Sequence, residues 1–112
     1  MPSHTTYSLN LTASTKTANL LAGDVIEFVP YNAVVKVYGV ISALGVNMIV
    51  MADSDVAVDD KEIPFVGTTL DKSAHLIDSF MVRQGTRLAV FLRETAAAGT
   101  IDAYTHVEII PL

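Results

Sequence analysis

The sequence predicts an all-β fold, a single-domain antiparallel β-sandwich or barrel of about eight strands. Three observations point there. Short runs rich in valine, isoleucine and aromatic residues recur along the chain with turn signals between them. Several of these runs alternate apolar and polar residues with a period of two, the mark of a strand with one buried face. Finally, 112 residues without an internal repeat, low-complexity tract or linker make one domain, residues 1–112, able to bury a single core.

The first run, Tyr7-Ser8-Leu9-Asn10-Leu11-Thr12, alternates cleanly and places Tyr7, Leu9 and Leu11 inward. Residues 13–22 read equally as a loop or as a short helical turn built on Ala18, Leu20, Leu21 and Ala22 and closed by Gly23. Gly23-Asp24 is a turn signal. It opens the strand Val25-Ile26-Glu27-Phe28-Val29, which Pro30 ends because proline cannot donate to a ladder. Residues 33–41 carry the densest β signal. Valine recurs on both faces and only Lys36 calls for water, the pattern of a central strand or of one whose outer face lies in an interface. Gly39 marks a bulge or a close approach of another backbone. After a turn at Leu44-Gly45, residues 46–51 form a strand that is again apolar on both faces, with Met48 and Met51 as adaptable packers.

Asp53-Ser54-Asp55 breaks this run. Val56-Ala57-Val58 is a short strand at most, and Asp59-Asp60-Lys61-Glu62 reads as a charged turn. Pro64 assigns the extended residues 63–66 to an edge, and residues 67–73 to a loop. Residues 74–82 read as a strand, with a helix starting near Ser73 as the rival, and a strand is favoured for 80–83 because Gln84-Gly85-Thr86 resembles a hairpin turn. The clearest pair comes last. Residues 87–93 and 101–110 are expected as neighbouring antiparallel strands joined by the small residues of 94–100. Leu88, Val90 and Leu92 oppose Arg87, Ala89, Phe91 and Arg93. Ile101, Ala103, Thr105, Val107 and Ile109 oppose Asp102, Tyr104, His106 and Glu108. The end of the chain, directly after a strand, is expected to be tied down.

Composition narrows the function. Apolar residues make up 51% and charged residues 17%, a shortage of polar cover for a monomer, so burial against further subunits is expected. A net charge of −5 argues against a primary nucleic-acid binder, which needs a basic footprint. The absence of cysteine removes disulfides, thiolate nucleophiles and cysteine metal sites. The opening residues lack the basic and apolar regions of a signal peptide, and no run is long enough to span a bilayer, so a cytosol-like compartment and no membrane partner are expected. Asn10-Leu11-Thr12 matches a glycosylation sequon, which carries little weight without such a signal.

No constellation points to catalysis. There is no Gly-x-Ser-x-Gly elbow, no phosphate-binding glycine loop and no His-Glu-x-x-His, so the chain is expected not to be an enzyme and to need no cofactor. Asp53, Asp55, Asp59, Asp60 and Glu62 form the densest acidic cluster. They depart from the calcium-loop pattern, since no glycine holds the sixth place and Pro64 holds the twelfth; a solvated loop is the simpler reading, a weak calcium site the sharper one. His4, His75 and His106 are scattered, with His106 expected at the surface. Arg83, Arg87 and Arg93 suit carboxylates or phosphates, and ion pairing within the domain or across a subunit contact is expected. The subunit-interface candidates are Val35, Val37, Tyr38, Phe91, Arg83, Arg87 and Arg93.

Gly23-Asp24-Val25-Ile26-Glu27-Phe28, the valine strand at 34–41 and Gly85-Thr86-Arg87-Leu88-Ala89-Val90-Phe91-Leu92 give the chain a resemblance to small bacteriophage virion proteins, the single jelly-roll capsid or capsid-decoration proteins. It spans the whole chain as architecture, without a signature motif. It implies a jelly-roll-like sandwich, a structural role in the virus particle, synthesis in the host cytoplasm, and assembly into a trimer or larger homo-oligomer within a capsid lattice. The acidic balance departs from shells that hold nucleic acid directly and favours an outer decorating role. The rivals are a small ligand-binding β-module, weakened by the absence of tryptophan, and a cupin-like enzyme, which calls for clustered histidines.

Overall fold

The computed structural model describes residues 3–11, 17, 19–21, 23, 27–67, 70, 71, 74–95 and 101–112. Among them the fold is all-β, without a helix. Seven strands follow one another: β1 (Ser3–Leu11), β2 (Ala33–Ile41), β3 (Val46–Ala52), β4 (Asp55–Glu62), β5 (Leu76–Val82), β6 (Leu88–Glu94) and β7 (Ile101–Pro111). They make two antiparallel sheets, one ordered β1-β7-β2-β5 and the other β4-β3-β6. Only β3 and β4 are both consecutive in the described chain and paired. Their two-residue turn uses Asp53 at φ 56°, a conformation that aspartate tolerates better than most residues.

The inward rows of the two sheets meet in one core. Val35, Val37 and Ile41 of β2, with Ile101, Ala103, Val107 and Ile109 of β7, face Val46, Met48 and Val50 of β3 and Leu88, Val90 and Leu92 of β6. Burying such side chains contributes about 1.5–3 kcal/mol each. Gly39 sits in the inward row of β2, where an added Cβ would lie 3.3 Å from Ile63 Cδ1 and 3.5 Å from Met48 Cε. What approaches there is a pair of side chains across the core, rather than another backbone.

The segment before β2 occupies the second edge of β6. Thr17 N donates to Leu92 O, Leu20 N to Val90 O and Val29 N to Thr86 O, each at 2.9 Å, while Leu88 N donates to Glu27 O at 2.7 Å. Asn19 Oδ1 and Thr17 Oγ1 accept from Val90 N and Leu92 N. The described residues of 17–29 therefore run antiparallel to β6. Leu20 and Leu21 form a turn. Ala18, Ala22 and residues 24–26, where a helical turn or strand was expected, lie outside the described residues, as do residues 96–100 and the side chains of His4, Tyr7, Leu9 and Leu11.

Three expectations need correction. β6 and β7 are not neighbours: they belong to different sheets, and their apolar rows meet across the core. Two one-faced strands bury their faces just as well across a gap of about 10 Å as side by side. Likewise Gln84-Gly85-Thr86 is not a hairpin turn, since β5 pairs with β2 while β6 pairs with β3, and the turn carries the chain from one sheet to the other. The third is residues 59–62, which continue strand β4 instead of forming a turn. β4 is a sheet edge, and charges along an edge discourage pairing with other chains. β5 falls within the 74–82 strand reading and extends further toward the N-terminus than the favoured 80–83, and Arg83 falls just outside it.

Candidate functional site

The residues expected at a subunit interface divide by row. Val35 and Val37 are fully buried in the inward row of β2 and are out of reach of any partner. Tyr38 projects from the opposite face but is only 5% exposed. Its ring packs 5.7 Å from that of His106, its cross-strand neighbour on β7, and its hydroxyl donates to Glu108 Oε1 at 3.4 Å. Burial first, and the Glu108 charge second, hold the phenol above its ordinary pKa. These three are corrected from interface to interior. His106 is corrected too: expected at the surface, it is buried. A polar residue on an outward row stays exposed only where nothing lies over that row.

Phe91 remains a surface candidate. It is half-buried on the outer face of the β4-β3-β6 sheet, opposite Ile49, with Ala89 and Met51 the next pair along. Val56, opposite Met51 on β4, is 52% exposed. This outer row is apolar and open.

The three arginines are spread out rather than clustered. Arg93 forks onto Asp60 through Nε and Nη2, bridging β6 to β4 across β3, and the carboxylate keeps the guanidinium pKa above its usual value. Arg87 lies at the other end of β6 and binds Glu27 Oε2 at 3.0 Å. Glu27 also accepts from Gly23 N at 3.1 Å, and this bond, then Arg87, draws its carboxyl below the ordinary range. Arg83 is exposed and has no carboxylate partner among the described residues. Ion pairing within the domain thus holds for Arg87 and Arg93.

The acidic cluster is drawn out along β4. Asp53 and Asp55 stand at its start and Asp59 and Asp60 near its end, so the extreme members are separated by on the order of 20 Å at the strand's rise per residue. Asp53 Oδ1 accepts from Arg87 N, and Asp60 is taken by Arg93. Among the described residues no three histidine or acidic side chains come together as a metal site.

A site unforeseen in the sequence lies between the sheet edges β4 and β5. At one end, Lys61 of β4 closes the gap by donating to Ile77 O at 2.9 Å beside Asp78. At the other end an open cavity of about 530 Å³ remains, with Ala52, Met81 and Leu112 among its apolar walls and Asp53, Asp55 and Arg83 at its polar positions. Met81 is 72% exposed. Strand alternation carries the signal that locates it: with Val82 buried in the inward row, Met81 must point out. Phe28 follows the same rule beside buried Val29 and is 58% exposed. No protein-family model and no curated protein matches the chain.

Proposed function

We propose that this chain is a single jelly-roll structural subunit of a virus particle, a capsid or capsid-decoration protein that acts by assembling with copies of itself. The strand order carries the reading. With the described residues of 17–29 counted as an eighth strand beside β6, the sheets become β1-β7-β2-β5 and that segment followed by β6-β3-β4. Every connection except β3–β4 then crosses from one sheet to the other, the double Greek-key path of a jelly roll. Jelly rolls serve chiefly as capsid, lectin and cupin domains, so the choice among them falls to the site.

The site favours assembly. A cupin gathers histidines between its sheets, whereas His75 lies in a loop in tilted contact with Phe65, ring centroids 5.2 Å apart, and His106 faces away from the core. A sugar-binding module presents aromatic platforms, and the cavity walls here are aliphatic. What the surface offers is open apolar side chains at Phe28, Leu44, Val56, Val66, Leu76, Met81 and Leu112, the material of contacts between subunits. Two of the three arginines are already paired, and the net charge is −5. Both favour an outer decorating role over direct contact with nucleic acid. Size-exclusion chromatography with light scattering, followed by electron microscopy, tests this. A discrete trimer or larger assembly is expected; a monomer even in concentrated solution overturns it.

A further inference from the structure

We infer that Lys61 and Asp78 form a clasp across the seam between β4 and β5, and that the clasp keeps these two sheet edges from pairing with strands of other chains. The inference is independent of the virion reading, because it concerns a contact that the fold forbids. β5 is the edge that needs such a guard. Leu76-Ile77-Asp78-Ser79-Phe80-Met81-Val82 holds one charge and neither proline nor glycine. Its Leu76 and Met81 are 43% and 72% exposed. An edge of that length and composition is a template for sheet growth between molecules.

The guard is built from an irregularity in β4. Its register against β3 shifts between Met48 and Val50, and again between Val50 and Met51. Val58 lies opposite Val50, so strict alternation would bring Asp60 opposite buried Met48 and turn Lys61 outward. The extra residue of the first bulge reverses this. Lys61 stands opposite Met48, on the core side of the sheet. Asp60 takes the left-handed conformation at φ 50° and turns to the outer face, where Arg93 grips both its oxygens from across β3. The Arg93 fork thus holds the bulge, and the bulge aims Lys61.

From the core side Lys61 reaches over the seam. Its Nζ donates to Ile77 O at 2.9 Å and stands 3.9 Å from Asp78 Oδ2. The other oxygen of Asp78 accepts from Ser79 N at 2.8 Å. A strand laid along β5 therefore meets a carbonyl and an amide that side chains already engage. A strand laid along β4 meets a twice-bulged edge with a cation turned inward. Both features spoil an edge as a template, and a strand that displaced the clasp would leave the Lys61 ammonium without its acceptor.

A single introduced cysteine reads the edge, because the chain has none of its own. Ser79→Cys, near the middle of β5, forms a disulfide between molecules when two β5 edges meet antiparallel. In this carrier Lys61→Met removes the ammonium and keeps the stem. Disulfide dimer should then form in oxidised glutathione at least about tenfold faster, the factor that corresponds to one hydrogen bond from a charged group. Lys61→Arg keeps a long cationic donor and should stay at the rate of the carrier alone. Tyr38→Phe also removes one hydrogen bond, away from the seam, and should stay there too. Lys61→Met without acceleration overturns the clasp. Equal acceleration by Lys61→Arg or Tyr38→Phe overturns it as well, since the cause is then a general loosening. Rapid cross-linking with Lys61 in place makes β5 a contact between copies, which overturns the guard and leaves the self-assembly reading standing.

Discussion

β6 and β7 make an instructive pair. Both are amphipathic strands, and both present an apolar row to the core: Leu88, Val90 and Leu92 on one, Ile101, Ala103, Val107 and Ile109 on the other, the latter interrupted only by buried Thr105. Their outward rows run against expectation. β7 carries the more polar row, Asp102, Tyr104, His106 and Glu108, yet His106 in its middle is buried and Tyr38 beside it nearly so. β6 carries Ala89 and Phe91 between two arginines, and that row stays half open. Polarity states what a row tolerates; whether it is covered depends on what the chain lays over it.

The inward rows are where the two strands should behave alike, and there the largest effects are expected. Leu92→Ala and Ile109→Ala each leave a cavity in the shared core, and each should cost about 2–5 kcal/mol in urea-induced unfolding. The two losses should be of similar size, because these residues belong to opposite walls of one core. A cost below about 1 kcal/mol at either position would mean that its sheet can collapse into the space, and the equivalence of the walls would fail.

This equivalence marks what was legible in the sequence. Alternation told which residues of β6 and β7 face inward, since the period of two follows from backbone geometry alone. It carried no information about which strand lies beside which, and so β6 and β7 were expected side by side. Pairing is decided by the crossings between sheets, which leave no local signature in residues 84–86 or 94–100. β4 shows a second limit. Asp59-Asp60-Lys61-Glu62 has the composition of a turn, and an exposed edge strand has the same composition for a different reason, protection of its open backbone groups. For the candidate site, Arg83 and Arg87 were legible as exposed positions and Phe91 as an outward-facing one. Val35, Val37 and Tyr38 were not distinguishable from interface residues, because a strand buried within its own domain and one buried by a partner present the same apolar pattern. The cavity depends on two edges brought together from distant parts of the chain, and its Met81 and Phe28 were recoverable only from the burial of Val82 and Val29.

The covered row of β7 should respond next. Tyr38→Phe keeps the ring against His106 and removes the hydroxyl bonded to Glu108, at a cost of about 0.5–1.5 kcal/mol. The sign of its pH dependence follows from the raised pKa of Tyr38. The folded state favours the neutral phenol, so the contribution is full below the ordinary phenol pKa and is lost as pH rises through the folded value. Stability curves of the parent chain and Tyr38→Phe should therefore converge in alkaline solution, while the gap between them at neutral pH should be nearly independent of salt, because the row is buried. A gap that instead widens on raising pH would exclude this account of Tyr38.

The open row of β6 should give the smallest effect and the opposite salt response. Arg93→Lys retains the positive charge and loses the planar fork that grips both oxygens of Asp60. The side chains of Arg93 and Asp60 are 41% and 36% exposed, so water and ions screen the pair and the loss should stay below about 1 kcal/mol. Raising salt should shrink it further, since the Debye length falls to about 3 Å in molar salt, comparable with the contact distance of these exposed groups. The contrast between the two rows can be read from a pair of titrations. Tyr38→Phe should show a salt-independent loss in urea midpoint, and Arg93→Lys a smaller loss that disappears in concentrated salt. Equal salt sensitivity in both variants would mean that the outward rows of β6 and β7 are equally open, against the burial of His106 and Tyr38.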